Sequence, residues 1–104
     1  MYDVLVAGGG PSGLATAILA RQAGLRAAVV EPGVGVIDKA CGEGLMPSAV
    51  TILRDELGVT PEPVFPFRGI RYVQGGSAAE AGFPDGGHGW GVRRLALHLS
   101  LIHI

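Results

Sequence analysis

The stretch DVLVAGGGPSGLA, residues Asp3 to Ala15, sets three consecutive glycines, a proline, a serine and a fourth glycine between an apolar run and a segment of helical character. Val4, Leu5, Val6 and Ala7 are continuously apolar and few, as expected of a strand buried on both faces. Residues 14–23 are rich in alanine and leucine, with Leu14, Ala17, Ile18 and Arg21 spaced by three and four. Gly24 followed by Leu25 supplies a helix stop. The glycines therefore occupy a strand-to-helix turn.

That placement gives them a chemistry. At the amino end of a helix the first N–H groups lack internal acceptors and the macrodipole adds partial positive charge, so a phosphate is bound without a basic side chain. In the spacing Gly8-x-Gly10-x-x-Gly13 the first glycine permits the tight turn, the second lets a pyrophosphate approach, and the third lets helix and strand pack closely. Pro11 suits the first helical position, where its missing N–H costs little. Ser12 completes the set of turn residues expected at the ligand. A second apolar run, Ala27 to Val30, ends in Glu31, about twenty residues beyond the motif. An acid there accepts hydrogen bonds from the ribose hydroxyls of an adenosine and repels a 2′-phosphate. The expected fold class is α/β, a three-layer Rossmann-like βαβ dinucleotide-binding fold.

At 104 residues the chain suffices for one modest domain or part of a larger one, and its net charge is −1. Without a basic face or block, nothing points to nucleic acid or an anionic membrane surface. Cys41 is the single cysteine, which excludes an internal disulfide and makes a reducing, cytoplasmic location the expectation. Residues 4–20 carry no charge, yet GGGPSG at their centre does not suit a lipid-facing helix, and Asp3 stands where a secretory signal is basic. No transmembrane segment is expected. The first strand begins close to Met1, as at a genuine amino terminus.

The other terminus breaks the trend. Seven of the eight basic residues are arginine, and alanine, glycine, proline and valine abound, as GC-rich coding gives. The final six residues, 99–104, back-translate as CTG TCT CTT ATA CAC ATC, the transposon-end adapter of sequencing libraries. Native sequence is accordingly expected over residues 1–98, with 99–104 a non-native tail; different codons in the underlying DNA would remove that expectation.

After Glu31, Pro32 to Gly35 forms a flexible connection, and DKACGEGLMP follows as a second glycine-bearing loop. A helix is expected from Pro47 or Ser48 to Leu57, with Val50, Ile52, Leu53 and Leu57 on its apolar side and Gly58 stopping it. TPEPVFPF, with three prolines in eight residues, reads as a connector. Arg68 to Gln74 reads as a strand that turns at Gly75-Gly76 into a weaker strand near Ala78 to Phe83. PDGGHGWG reads as a loop, and a last helix begins around Val92 to Leu95. One βαβ unit is thus present, and a doubly wound domain needs more strands, so the chain reads as an incomplete N-terminal fragment.

These residues resemble flavoprotein monooxygenases of the p-hydroxybenzoate hydroxylase type, especially their geranylgeranyl reductase-like branch. The likeness runs nearly to His98. DVLVAGGGPSGLATAILARQAG with VVE is similar to their FAD-binding start, which implies Gly8, Gly10 and Gly13 at the FAD pyrophosphate and Glu31 at the ribose. DKACGEGLMP resembles the KxCGxG segment of the reductase-like branch, implying flavin-proximal roles for Lys39, Cys41 and Gly42. GVRRLALH resembles the Arg-x-x-Leu helix whose arginine holds the flavin nucleotide, which falls on Arg94. The resemblance further implies an oxidoreductase as the parent enzyme, NAD(P)H as its reductant, and an apolar or aromatic small-molecule substrate. The fragment alone is expected to be inactive. A Gly-Asp motif and a further Asp-Gly motif of the family lie beyond the length of this chain.

Lys39 sets a positive charge two residues from the Cys41 thiol, and the glycines beside Cys41 leave room for backbone to approach a flavin. Arg94 offers fixed, paired donors to phosphate, whereas Arg93 points elsewhere on a helix and reads as solvated. His88, His98 and Cys41 show no metal-ligand spacing. Trp90 reads as a packing aromatic or a shield for the flavin edge. Two other readings stay open: a non-catalytic dinucleotide-binding module, and an NAD-dependent dehydrogenase sharing the first βαβ unit.

Overall fold

A computed structural model of the chain describes residues 1–35, 37–39, 41 and 43–103. Strand Val4–Ala7 (β1) runs through the glycine turn into helix Pro11–Gln22 (α1), and Ala27–Val30 (β2) returns parallel to β1. Val4 lies opposite Ala27 and Ala7 opposite Val30. Gly24 terminates α1 in the left-handed region at φ 82°, which brings the Leu25 N–H to the Ala20 carbonyl at 3.0 Å. The two strand starts are tied by Asp3, whose carboxylate accepts the Arg26 backbone N–H at 2.8 Å and the guanidinium at 3.1 and 3.2 Å.

Neither strand is buried on both faces: Val4 and Val6 of β1 are half-buried, and no residue of β1 or β2 is fully buried. Val6 lies under α1, while Leu5 is 71% and Val30 58% exposed. A continuous apolar run signals two covers, and among the described residues only α1 supplies one.

The short strand Gly44–Leu45 (β3) leads to helix Pro47–Thr51 (α2), which continues as the π-helical segment Ile52–Leu57. Gly58 closes it at φ 67°, and the Val59 N–H reaches the Leu53 carbonyl at 2.8 Å. Strands Val64–Phe67 (β4), Gly69–Gln74 (β5), Ser77–Gly82 (β6) and Gly89–Val92 (β7) follow, then helix Arg94–Ile102 (α3).

Two expected loops contain strands. Half of TPEPVFPF is β4, and the end of PDGGHGWG is β7, the centre of an antiparallel sheet ordered β3-β7-β4. Pro66 is tolerated because β4 is an edge strand, with one side free of the ladder. The weak strand propensity of Gly89 and Gly91 is overridden by pairing on both sides, and their missing side chains allow the close approach. A Cβ on Gly89 would collide with the Phe67 ring and the Leu45 carbonyl, and one on Gly91 would lie 3.3 Å from the Phe65 carbonyl. The Phe67 ring in turn stacks at a tilt on Phe83, with centroids 5.6 Å apart.

The buried core is Leu53, Leu57, Val59, Val92, Leu97 and Leu101, with Leu14, Ala15 and Ile18 of α1 packed on it. It therefore sits between α1, the π-helical segment, β7 and α3. The β5-β6 hairpin stays outside it, with every residue of β6 exposed. A radius of gyration of 16.2 Å, against about 13 Å for a closed domain of this length, records that extension.

Candidate dinucleotide-binding site

The glycine turn joins β1 to α1 in a conformation that ordinary residues resist. Gly8 has φ 106°, and its N–H extends the β1-β2 ladder to the Val30 carbonyl at 2.8 Å. Gly10 caps α1, its carbonyl accepting the Leu14 N–H at 2.9 Å, and Pro11 takes the first helical position. A methyl on Gly13 would collide with the Gly8 carbonyl oxygen and lie 3.1 Å from Val6 Cγ1. The third glycine thus sets the distance between helix and strand. Ser12 and Gly13 hold first-turn amides that the helix itself does not satisfy. The Ser12 side chain is exposed at that turn.

Glu31 reaches the turn from the end of β2. One carboxylate oxygen accepts the Gly9 N–H at 2.7 Å, and the other accepts the Gly33 N–H at 2.8 Å. The bonds from Gly33 and Gly9, and then the Lys39 charge, hold its carboxyl below the usual carboxylate value. The acid is ionised at the mouth of the turn, with two of its roughly four lone-pair sites still free for hydroxyl donors. With the Gly9 N–H so engaged, the turn amides left for a phosphate are those of Gly10, Ser12 and Gly13.

Helix α3 approaches the same turn from the other side. Arg94 is its first residue, and the guanidinium Nη2 lies 3.8 Å from where a Gly10 Cβ would stand. The Nε of Arg94 is buried and lacks a hydrogen-bond partner among the described residues. A buried guanidinium N–H without an acceptor, beside amides without acceptors, is a donor set that fits a diphosphate. Arg93 is exposed at the N-cap, as expected.

Two participants were not expected. Glu43 joins the second loop to α3: its carboxylate accepts the Arg94 N–H at 3.3 Å and its carbonyl accepts the Val92 N–H at 2.9 Å. No sequence signal marked it, since the contact spans fifty-one positions. His98, set aside for lack of metal spacing, is buried against the turn, with Nε2 at 2.9 Å from the Gly9 carbonyl and Nδ1 at 2.9 Å from the Ile37 N–H. Its spacing of four from Arg94 was the available signal, because i and i+4 share a helix face.

The structure brings together Gly8, Gly10, Pro11, Ser12, Gly13, Glu31 and Arg94. Lys39 is exposed and acts by charge on Glu31. Cys41 is exposed too, its Sγ accepting the Glu43 N–H at 3.4 Å, and Gly42 lies outside the described residues. Trp90 sits mid-sheet between Leu45 and Pro66. A groove of about 560 Å³ between α1 and the end of α3, lined by Leu14, Ile18 and Leu101, shares no residue with the glycine turn. Arg21 and Gln22 line it as well, so it is a mixed seam between the two helices, apart from the glycine turn.

A βαβ unit with a glycine turn, and an acid and an arginine beside that turn, has the form of a dinucleotide-binding domain. Residues 1–62 match the family model described as FAD binding domain, and the chain belongs to that family. Menaquinone reductase from Mycobacterium tuberculosis is 36% identical over 99 residues, which cover 91% of this chain and 24% of that protein. The crystal structure of a flavoprotein/dehydrogenase from Cytophaga hutchinsonii matches with TM-score 0.82 and 28% identity, over 98% of this chain and 27% of that one. The p-nitrophenol 4-monooxygenase of Pseudomonas putida matches with TM-score 0.80 at 23% identity, over 99% of this chain and 29% of that one, a likeness of fold. The chain thus spans about a quarter of the length of the relatives it matches. Family and fold agree with the p-hydroxybenzoate hydroxylase-type resemblance. Among the described residues no helix is long and apolar enough to cross a membrane.

Proposed function

We propose that the chain is the FAD-binding segment of a flavin-dependent reductase of the geranylgeranyl reductase-like branch, acting on an apolar small molecule of quinone type with NAD(P)H as reductant in the cytoplasm. The observation that carries the reading is the Arg94 guanidinium beside Gly10, its buried Nε without an acceptor among the described residues. The reductase relative covering 91% of the chain supports the branch over hydroxylation. When bound, FAD supplies two-electron chemistry, taking hydride from a nicotinamide and passing it to the substrate. The residues of this chain bind and orient. The amides of Gly10, Ser12 and Gly13 with Arg94 hold the diphosphate, and the free lone pairs of Glu31 take the ribose hydroxyls. Lys39, Cys41 and Gly42 belong to the loop assigned to the flavin side, and residues 99–104 to a non-native tail.

The test is purification of the full-length protein that carries this segment. Bound flavin absorbing near about 450 nm and NAD(P)H oxidation coupled to quinone loss are the expected results. Colourless protein that binds NAD instead would favour the dehydrogenase or the non-catalytic module. Oxygen-dependent hydroxylation would favour the monooxygenases. R94M is expected to weaken FAD binding about 10- to 100-fold, the scale of a lost charged hydrogen bond, while leaving the apoprotein melting temperature nearly unchanged.

A further inference from the structure

His98 lies outside the donor set assigned to the diphosphate, yet it is 3% exposed and both ring nitrogens are engaged. The Ile37 backbone N–H can only donate, so Nδ1 is an acceptor without a proton. The Gly9 carbonyl can only accept, so the proton is on Nε2. Both contacts together require the neutral Nε2–H tautomer, because an imidazolium has no acceptor for Ile37.

The bond to Gly9 acts at a vulnerable place. The peptide between Gly9 and Gly10 is flanked by residues without Cβ atoms, so little in the local backbone prevents its plane from turning over. In a trans peptide the carbonyl and the N–H point in opposite directions, and holding one fixes the other. A turned peptide would present its carbonyl dipole where an anion needs the Gly10 N–H. Glu31 holds only the N–H of Gly9, on the preceding peptide plane. Among the described residues His98 is the side chain that holds the plane carrying the Gly10 N–H.

We propose that His98 is a positioning residue for the cofactor diphosphate, acting through Gly9: its Nε2–H locks the Gly9-Gly10 peptide so that the Gly10 N–H faces the bound anion, and its Nδ1 ties the segment at Ile37 to the same lock. The proposal rests on the FAD reading above, and its test separates the two. Gln at position 98 sets an amide nitrogen near the place of Nε2, keeping the bond to Gly9. Asn sets an oxygen near the place of Nδ1, keeping the bond to Ile37. In the full-length apoprotein, FAD affinity is measured by quenching of flavin fluorescence, at a temperature where unfolding curves show each variant folded. H98Q is expected within about 3-fold of wild type and H98N weaker by about 10-fold or more, the scale of one lost buried hydrogen bond. A merely structural histidine would not make the two amides differ in that order. Wild-type affinity in H98N, or equal weakening in H98Q and H98N, overturns the proposal and leaves the FAD reading standing. Absence of FAD binding by the wild type overturns both.

Discussion

Gly9 is held from two directions, its N–H by Glu31 and its carbonyl by His98. The turn is therefore a clamped one, although built from residues chosen for freedom. The Glu31 clamp depends on pH with a definite sign. Because the folded-state carboxyl is held below its ordinary value of 4.5, its contribution is complete above that value and is lost as pH falls through the lower folded value. E31Q is expected to flatten that part of the acid limb in a pH series of urea unfolding curves, and to weaken FAD binding at neutral pH. G13A tests the contact between helix and strand. Its methyl has the Gly8 carbonyl in its way, so backbone must shift, and a loss of about 1–3 kcal/mol of stability together with loss of FAD affinity is expected from denaturant titration and flavin binding. An unchanged stability in G13A would show that α1 can move off β1 freely.

Among the elements, α3 does two jobs with one face each. Leu97 seats it in the core, joined in this chain by Leu101 of the segment read as a non-native tail, while Arg94 and His98, four residues apart, turn toward the glycine turn. The position of Arg94 thus depends on core packing. L97A removes a side chain that is 5% exposed and is expected to cost about 2–5 kcal/mol, measured by chemical denaturation. Y72S in the hairpin, at 74% exposure, is expected to change the same measurement in this chain by less than about 0.5 kcal/mol. The contrast would locate stability in the layer of α1, α3 and β7 and not in β5-β6. Strand β7 shows why part of this layer was hidden from a reading of neighbours in sequence. A Gly-Trp-Gly run has poor strand propensity, and it is a strand because β3 and β4, recruited from distant positions, pair with both its edges.

At the scale of the whole molecule, apolar surface lies open on the uncovered face of β1-β2, on Phe65 and along the hairpin, where Leu5 is 71% and Phe65 64% exposed. Exposed apolar surface of this kind is suited to contact with protein, membrane or ligand. The 104-residue chain is expected to bind an apolar reporter dye such as ANS, and a longer chain carrying the following segments to bind less. Equal dye binding by the two would mean that these faces stay uncovered.

The first βαβ unit, the helix stops at Gly24 and Gly58, the hairpin at Gly75-Gly76 and the grouping of Gly8, Gly10, Gly13 and Glu31 were legible in the sequence because each depends on neighbours within about thirty residues. Local φ preferences, apolar periodicity and the missing Cβ act at that range. Tertiary structure decided what depends on distant partners: the strands at Val64–Phe67 and Gly89–Val92, the one-sided burial of β1, the Glu43 contact with α3 and the bonds of His98. A hydrogen bond across eighty-nine positions leaves no period in a sequence, since its donor and acceptor meet only after the core has set the helix in place.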